Sequence, residues 1–358
     1  MMKNYIFICD TFSNHEVSAK SSEIIISEIA DNLKSDNTDC SVYSKNTLIG
    51  GSLTKFILQK LKHKKSFFLR ALSDFIFSIF ILNKQFIPKN SILIFYTPPP
   101  ILPFIFLLLK FNINNRVIIL VRDIFPLCMK NHFNFINYYI LSFMQDYILR
   151  KSDKILIESN SQKKFFKNYK NVFEFKNPLN KKRISSIKLN KKQILLKGVY
   201  FGNYGLQHEN KILEMFLDLC KNNKISCSYY GQVKKNLNFT NVQNSVQFSK
   251  SKKVLNNISF QLVSINDSVT TEPLPYKLIE LAALSIPPIF FAPANHYFHN
   301  EIKKFNIGIS VSTISELLLL FDKDNKIYNY DFIKLGENAR KYVFKNHVFS
   351  FKDRSLFE

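Results

Sequence analysis

The chain has 358 residues, long for one core and comfortable for two domains of ordinary size. Hydrophobic residues make up 46% and charged residues 22%, which excludes a disordered chain, and the abundance of Lys, Asn, Ile and Phe reads as codon bias in an AT-rich genome. A formal charge of +23 leaves nucleic acid, anionic lipid and phosphorylated substrates open as partners.

That charge is uneven. Residues 1–190 hold 28 Lys and Arg against 13 Asp and Glu, a net +15; residues 191–358 hold 22 against 14, a net +8. The opening "MMKNYIFICD" has a five-residue apolar run, too short for a signal peptide, and reads as a first buried strand. The cysteines are Cys9, Cys40, Cys128, Cys220 and Cys227. An odd count with no Cys-x-x-Cys pair fits a reducing compartment and argues against structural zinc.

In the first half, strands are expected near 4–9, 40–44, 91–96, 116–121 and 155–159. Helices are expected near 19–34, 53–62, 67–83, 101–111, 133–151 and 160–169. Continuous apolar strands separated by helices predict a parallel sheet covered on both faces. The polar, basic stretch 177–193 reads as a linker. The pattern then restarts, with strands near 198–202, 226–230, 245–248, 260–265, 287–291 and 308–312. Helices are expected over 208–222, 276–285, 297–305, 313–321 and 332–346. The expected organisation is an N-terminal Rossmann-like domain over 1–185, a second over 186–335, and a terminal helix and tail over 336–358. Two doubly wound halves would each present their strand C-termini toward a crevice.

Two stretches are greasier than a soluble sheet protein needs: "SFFLRALSDFIFSIFIL" (66–82) and "PPPILPFIFLLLKF" (98–111). Neither has the roughly 20 clean apolar residues of a spanning helix. Just before the first lies "KFILQKLKHKK", with Lys55, Lys60, Lys62, Lys64 and Lys65. Basic residues beside an apolar helix predict an interfacial element on an anionic membrane; the competing reading is a buried helix with a solvated basic end.

Chemistry concentrates in "EPLPYKLIELA", residues 272–282. Pro273 and Pro275 force an extended loop after Glu272. A helix starting near Tyr276 offers backbone N–H groups and its positive dipole end to an anion. Lys277 adds a full charge there, and Glu280 falls on the same face one turn on. A carboxylate at that position can accept two hydrogen bonds from a ribose diol. The set suits a nucleotide.

The segment "PYKLIELAALSIPPI" resembles a pattern of the retaining GT-B glycosyltransferases of family 4, in the subgroup of bacterial O-antigen and capsule transferases that includes the proposed fucosamine transferases. Four further segments resemble that family in order: "YTPPPILPFIFLLLK", "VRDIFP" (121–126), "SDKILIESNSQKKFF" with the "NPLN" loop, and "VYFGNYG" (199–205). The resemblance implies an α/β GT-B fold of two Rossmann-like domains facing a crevice. It places Glu272 near the donor sugar and Glu280 on the nucleotide ribose. Gly202, Asn203 and Gly205 would form the turn that lets the backbone approach the diphosphate, and Lys277, Leu278 and Lys211 would complete the donor site. Arg122 and Asp123 would face acceptor or donor sugar; read from the residues alone, they make a surface ion pair after a buried strand. Where many members have a histidine, this chain has Arg122. Where many have a glycine-rich acceptor loop it has "DTFSNHEVSAKS", with His15, Glu16 and Lys20 on the acceptor side.

The resemblance implies transfer from a nucleotide-diphosphate sugar, with UDP as donor nucleotide, to a polyprenyl-diphosphate-linked glycan at the inner face of the cytoplasmic membrane. No cofactor or metal is expected. The Asp-x-Asp at 322–324 reads as a polar turn, and His296 and His299 have metal-compatible spacing without a third ligand in view. Nucleic acid is not expected, because the aromatics lie in apolar runs instead of a basic stripe. The alternatives are a sugar-nucleotide 2-epimerase on the same architecture and a non-catalytic GT-B or basic binding protein.

Overall fold

The computed structural model describes residues 3–9, 21–35, 37–44, 67–82, 87–97, 100–109, 114–185, 195–201, 210–230, 242–243, 255, 257–266, 269, 271–322 and 326–358. The chain forms two compact units, Met1–Pro178 together with Phe349–Glu358, and Leu179–Val348.

The first unit runs β1 (Lys3–Cys9), α1 (Ser21–Leu33), β2 (Thr38–Ser44), α2 (Phe67–Ile81), β3 (Ile92–Thr97), α3 (Ile101–Leu109), β4 (Arg116–Val121), α4 (Phe135–Arg150), β5 (Lys154–Ile157) and β6 (Val172–Glu174). All six strands are parallel, in the order β2-β1-β3-β4-β5-β6. The strands are legible in their composition. In β4, "RVIILV", every residue after Arg116 is buried, because a parallel strand covered on both faces has no wet side. Helix α4 starts where the Asn134 side chain accepts the Asn137 N–H at 2.9 Å. The helix expected over 160–169 is a 3-10 segment, Asn160–Phe166, entered from Ser159. The helix expected over 53–62 lies outside the described residues.

The second unit runs α5 (Lys181–Ser185), β7 (Lys197–Phe201), α6 (Asn210–Asn222), β8 (Ser226–Tyr230), β9 (Val242–Gln243), β10 (Phe260–Ser264), α7 (Tyr276–Ala283), β11 (Pro288–Phe291), α8 (Phe298–Phe305), β12 (Ile309–Val311), α9 (Ile314–Leu320) and α10 (Phe332–Asn346). Its strands are also all parallel, in the order β12-β11-β10-β7-β8-β9. Counted within the unit this is 3-2-1-4-5-6 read backwards, the doubly wound arrangement whose reversal point lies between the first and fourth strands. Here those strands are β7 and β10, paired Phe260 to Gly198 and Gln261 to Val199. Helix α10 packs on α7, and Gly336 allows it: a Cβ there would stand 2.3 Å from the Ser285 carbonyl oxygen.

Two expectations need correction. The stretch 177–193 is not all linker, since it holds α5. The segment 336–358 is not one terminal piece: α10 belongs to the second unit, while the last residues form α11 (Phe351–Phe357) in the first. A capping box starts α11, with the Ser350 hydroxyl and the Asp353 carboxylate each bonded to the other's backbone. Arg354 donates to the Leu33 carbonyl at 3.1 Å, Lys154 donates to the Leu356 carbonyl at 3.0 Å, and Phe357 meets the Phe175 ring at 5.2 Å. Those partners stand more than 180 residues away in sequence, so no local pattern announces this docking.

Candidate functional site

In an open parallel sheet, loops leaving the carboxyl ends of strands at the reversal point converge on one place. In the second unit the loop after β10 carries Thr271 and Glu272. Both are buried, and Glu272 has a left-handed backbone, φ 53°. A non-glycine residue in that region is strained and persists only where its surroundings impose it. Pro273 follows Glu272 directly, and Pro275 enters α7 in extended geometry at φ −60°, ψ 126°.

No side chain caps the start of α7. Lys277 stands in its first turn, with its Nζ 2.9 Å from the Glu280 carboxylate. The pair is asymmetric: the Glu280 side chain is 1% exposed and that of Lys277 35%. A carboxylate withdrawn from water requires a partner, and Lys277 reaches in from the surface to supply it. The same helix is fixed from beneath by Gln261 of β10, whose Nε2 donates to the Leu278 carbonyl at 3.2 Å and to the Ile286 carbonyl at 2.9 Å. Leu278, expected at the donor site, is a buried side chain whose backbone serves this anchor.

A second anchor was not visible in the sequence. His296 is buried, and its Nδ1 accepts the Phe298 N–H at 3.2 Å. The other ring nitrogen therefore carries the proton, and Nε2 donates to the Pro273 carbonyl at 3.2 Å. This imidazole pins the loop one residue beyond Glu272. His299 is occupied as well: Nε2 faces the Ala292 and Pro293 carbonyls, each at 3.1 Å, so Nδ1 accepts from the Ser310 hydroxyl at 2.7 Å. Burial holds the His299 imidazole below its ordinary pKa. Their spacing serves backbone anchoring, and among the described residues no group of three or more His, Cys, Asp or Glu stands ready for a metal ion. Lys211 is exposed in the first turn of α6. Gly202, Asn203 and Gly205 follow β7 directly and lie outside the described residues.

In the first unit, β4 ends at Val121 and Arg122 turns inward. It does not lie at the surface, as the residues read alone would have it. Arg122 is 5% exposed, its guanidinium lies 5.2 Å over the Phe175 ring, and Nη1 donates to the Phe175 carbonyl at 2.9 Å. Nε and Nη2, the paired edge that suits a carboxylate or phosphate, have no acceptor among the described residues. Burial lowers the Arg122 pKa, opposed by nearby Tyr96 and Glu158. Glu158, buried at the end of β5, accepts from the Asn177 amide. Asp123 is half-buried. His15, Glu16 and Lys20 lie outside the described residues, as does the basic stretch Lys55–Lys65.

No family model matches the chain, and no curated protein matches it in sequence. Solved structures do match its fold. Sucrose-phosphate synthase from Thermosynechococcus elongatus superimposes with a TM-score of 0.67 at 10% identity, covering 100% of this chain and 96% of its own. An α-glucosyltransferase in complex with UDP gives 0.60 at 13% identity, over 100% and 99%. TarM of S. aureus, solved with UDP among its ligands, gives 0.56 at 16% identity over 79% of this chain; the match spans 59% of TarM. The two parallel-sheet Rossmann-like units and these neighbours establish a GT-B α/β fold.

Proposed function

We propose that the chain is a retaining glycosyltransferase of family 4 that transfers a sugar from a UDP-sugar to a polyprenyl-diphosphate-linked glycan. The place would be O-antigen or capsule synthesis at the inner, anionic face of the cytoplasmic membrane. The observation that carries the reading is the Lys277–Glu280 pair on α7, beside a buried Glu272 held in a left-handed conformation at the reversal point of a GT-B sheet. UDP in the neighbouring α-glucosyltransferase and TarM structures supports the choice of nucleotide.

The chemistry asks for positioning and charge stabilisation more than for reactive side chains. Glu280 accepts from the ribose hydroxyls. Those hydroxyls replace Lys277 as the partner of its carboxylate, and Lys277 moves to the diphosphate with the first backbone N–H groups of α7. Glu272 orients the donor sugar. The departing diphosphate takes the proton of the incoming hydroxyl on the same face, so the anomeric configuration is retained. No residue is assigned to hold a metal, and none of these steps calls for one.

Calorimetric titration of UDP, GDP, ADP and CMP into the full chain with EDTA present tests this. UDP is expected to bind, and Glu280→Ala to lower its affinity by roughly 100-fold, the worth of two hydrogen bonds to a charged acceptor. Binding of none of the four, or wild-type affinity in the variant, overturns the assignment.

A further inference from the structure

Two helices of the first unit are partly inside out. In α2 the buried positions include Ser73, Asp74 and Ser78, while Leu72, Phe75 and Ile79 face outward. Spacings of three and four put those three in one stripe. In α4 Gln145 is buried, while Phe135, Ile136, Tyr139, Ile140 and Phe143 are exposed. Phe135 is 74% exposed and Phe143 64%. Their spacing again marks one face. The two helices flank α3 in one layer: α3 packs against both, and its Phe104 meets Phe143 at 6.0 Å and Tyr147 at 5.3 Å.

An ordinary surface helix hides such side chains and shows its polar ones. An outward apolar face of this extent marks a docking surface. Its charge selects the partner. From Asn134 to Gln145 the chain has no charged residue at all, and the one carboxylate of α2, Asp74, is buried. Asp146, the only other carboxylate of these helices, is tied to Arg150 at 2.8 Å. At the entry to α4, exposed Lys130 lies 5.9 Å over the Tyr138 ring. Exposed Phe and Tyr with a cation at their edge and no repelling carboxylate match the headgroup boundary of an anionic bilayer.

We propose that the outward faces of α2 and α4 form a shallow docking surface for an anionic lipid bilayer, with Phe135, Ile136, Tyr139 and Phe143 entering it. This deepens the membrane part of the reading above and rests on it for the partner. It also moves the main contact from the lysine-rich stretch before α2 to an aromatic helix face 70 residues later in the chain.

The chain has no tryptophan, so one introduced residue reports alone. Phe143→Trp in the full chain is mixed with vesicles of phosphatidylglycerol and phosphatidylethanolamine. Its emission is expected to shift to the blue, while Tyr328→Trp, exposed on the other unit, does not shift. Phe135→Ser with Phe143→Ser is expected to lower vesicle partitioning on the order of 10-fold or more. Much of the binding should survive ~1 M salt, where charges are screened within about 3 Å. An unshifted Phe143→Trp on bound vesicles, or no vesicle binding, overturns the proposal. So does a dimer in sedimentation that Phe143→Ser dissociates, because a second copy would then cover the face. UDP calorimetry and thermal unfolding of the same variants separate this failure from failure of the donor site or of folding.

Discussion

The two units are built on nearly the same parallel sheet, yet they treat a buried charge in opposite ways. In the second, Glu280 is withdrawn from water and matched at 2.9 Å by Lys277, and the helix carrying both is bolted to the sheet through Gln261. In the first, Arg122 is withdrawn just as far, but two of its three nitrogens meet no acceptor among the described residues and an aromatic ring covers one face. The sheet dictates where a loop stands; it does not dictate whether the charge on that loop is balanced. A balanced pair can exchange one partner for a ligand's hydroxyls without leaving a bare charge. A guanidinium with two open donors, its charge met by Glu158 only through space, is held at a cost.

The sharpest way to break this contrast is Lys277→Met. It keeps the stem of the side chain and leaves Glu280 buried without its cation. Removing one member of a buried pair costs about 3–5 kcal/mol, and because Lys277 is about one-third exposed the expected loss is ~2 kcal/mol. A two-unit chain needs a local readout, so the loss is measured by hydrogen exchange of the β10 and β11 amides. Unchanged protection there would mean that Glu280 is neutralised by something other than Lys277.

Arg122→Met is expected to do less. It forfeits the bond to the Phe175 carbonyl, worth about 1 kcal/mol net, and removes two open donors from the interior. A thioether on the Phe175 ring replaces part of the lost contact. The net change in exchange protection of β4 and β5 should stay within ~1 kcal/mol. A loss of roughly 3 kcal/mol or more would show that Arg122 and Glu158 act as a structural pair, and the two units would then handle charge alike.

The residues that make these predictions possible were unequally legible. Glu272, Lys277 and Glu280 stand within nine residues, and helical spacing alone puts the last two on one face. The strands were legible because a doubly covered strand is apolar along its whole length. Strands β6 and β9 were not: in β6 Val172 and Glu174 are half-buried and Phe173 is exposed, β9 is the two residues Val242–Gln243, and the strand expected over 245–248 lies outside the described residues. Helix α11 carries no such mark, because its docking partners lie so far away in sequence. The burial of Arg122 carries no local signal for a related reason: its guanidinium packs on and bonds to Phe175, 53 residues on. Gln261 and His296 carry no local signal, because each acts on backbone carbonyls 17 to 25 residues distant.

The smallest effect concerns a buried imidazole of the second unit. His299 is anchored as a neutral imidazole, with Nε2–H toward two carbonyls and Nδ1 accepting from Ser310. Burial lowers its pKa below the ordinary 6.5; Lys303 adds to that, and the two carbonyls and Glu316 oppose it. The unfolded chain therefore binds a proton near pH 6.5 that the folded chain still refuses. The sign follows: the stabilisation is complete above pH 6.5 and is lost as the pH falls toward the folded value. His299→Gln keeps a donor for the carbonyls and cannot titrate. Between pH 7.5 and pH 5.5, exchange protection of β11 and β12 should fall more steeply in the wild type than in the variant. Parallel slopes would show that His299 is protonated in place. Its Nδ1 would then have stopped accepting from Ser310, and the second unit would carry a charge where the hydrogen bonds leave room for none.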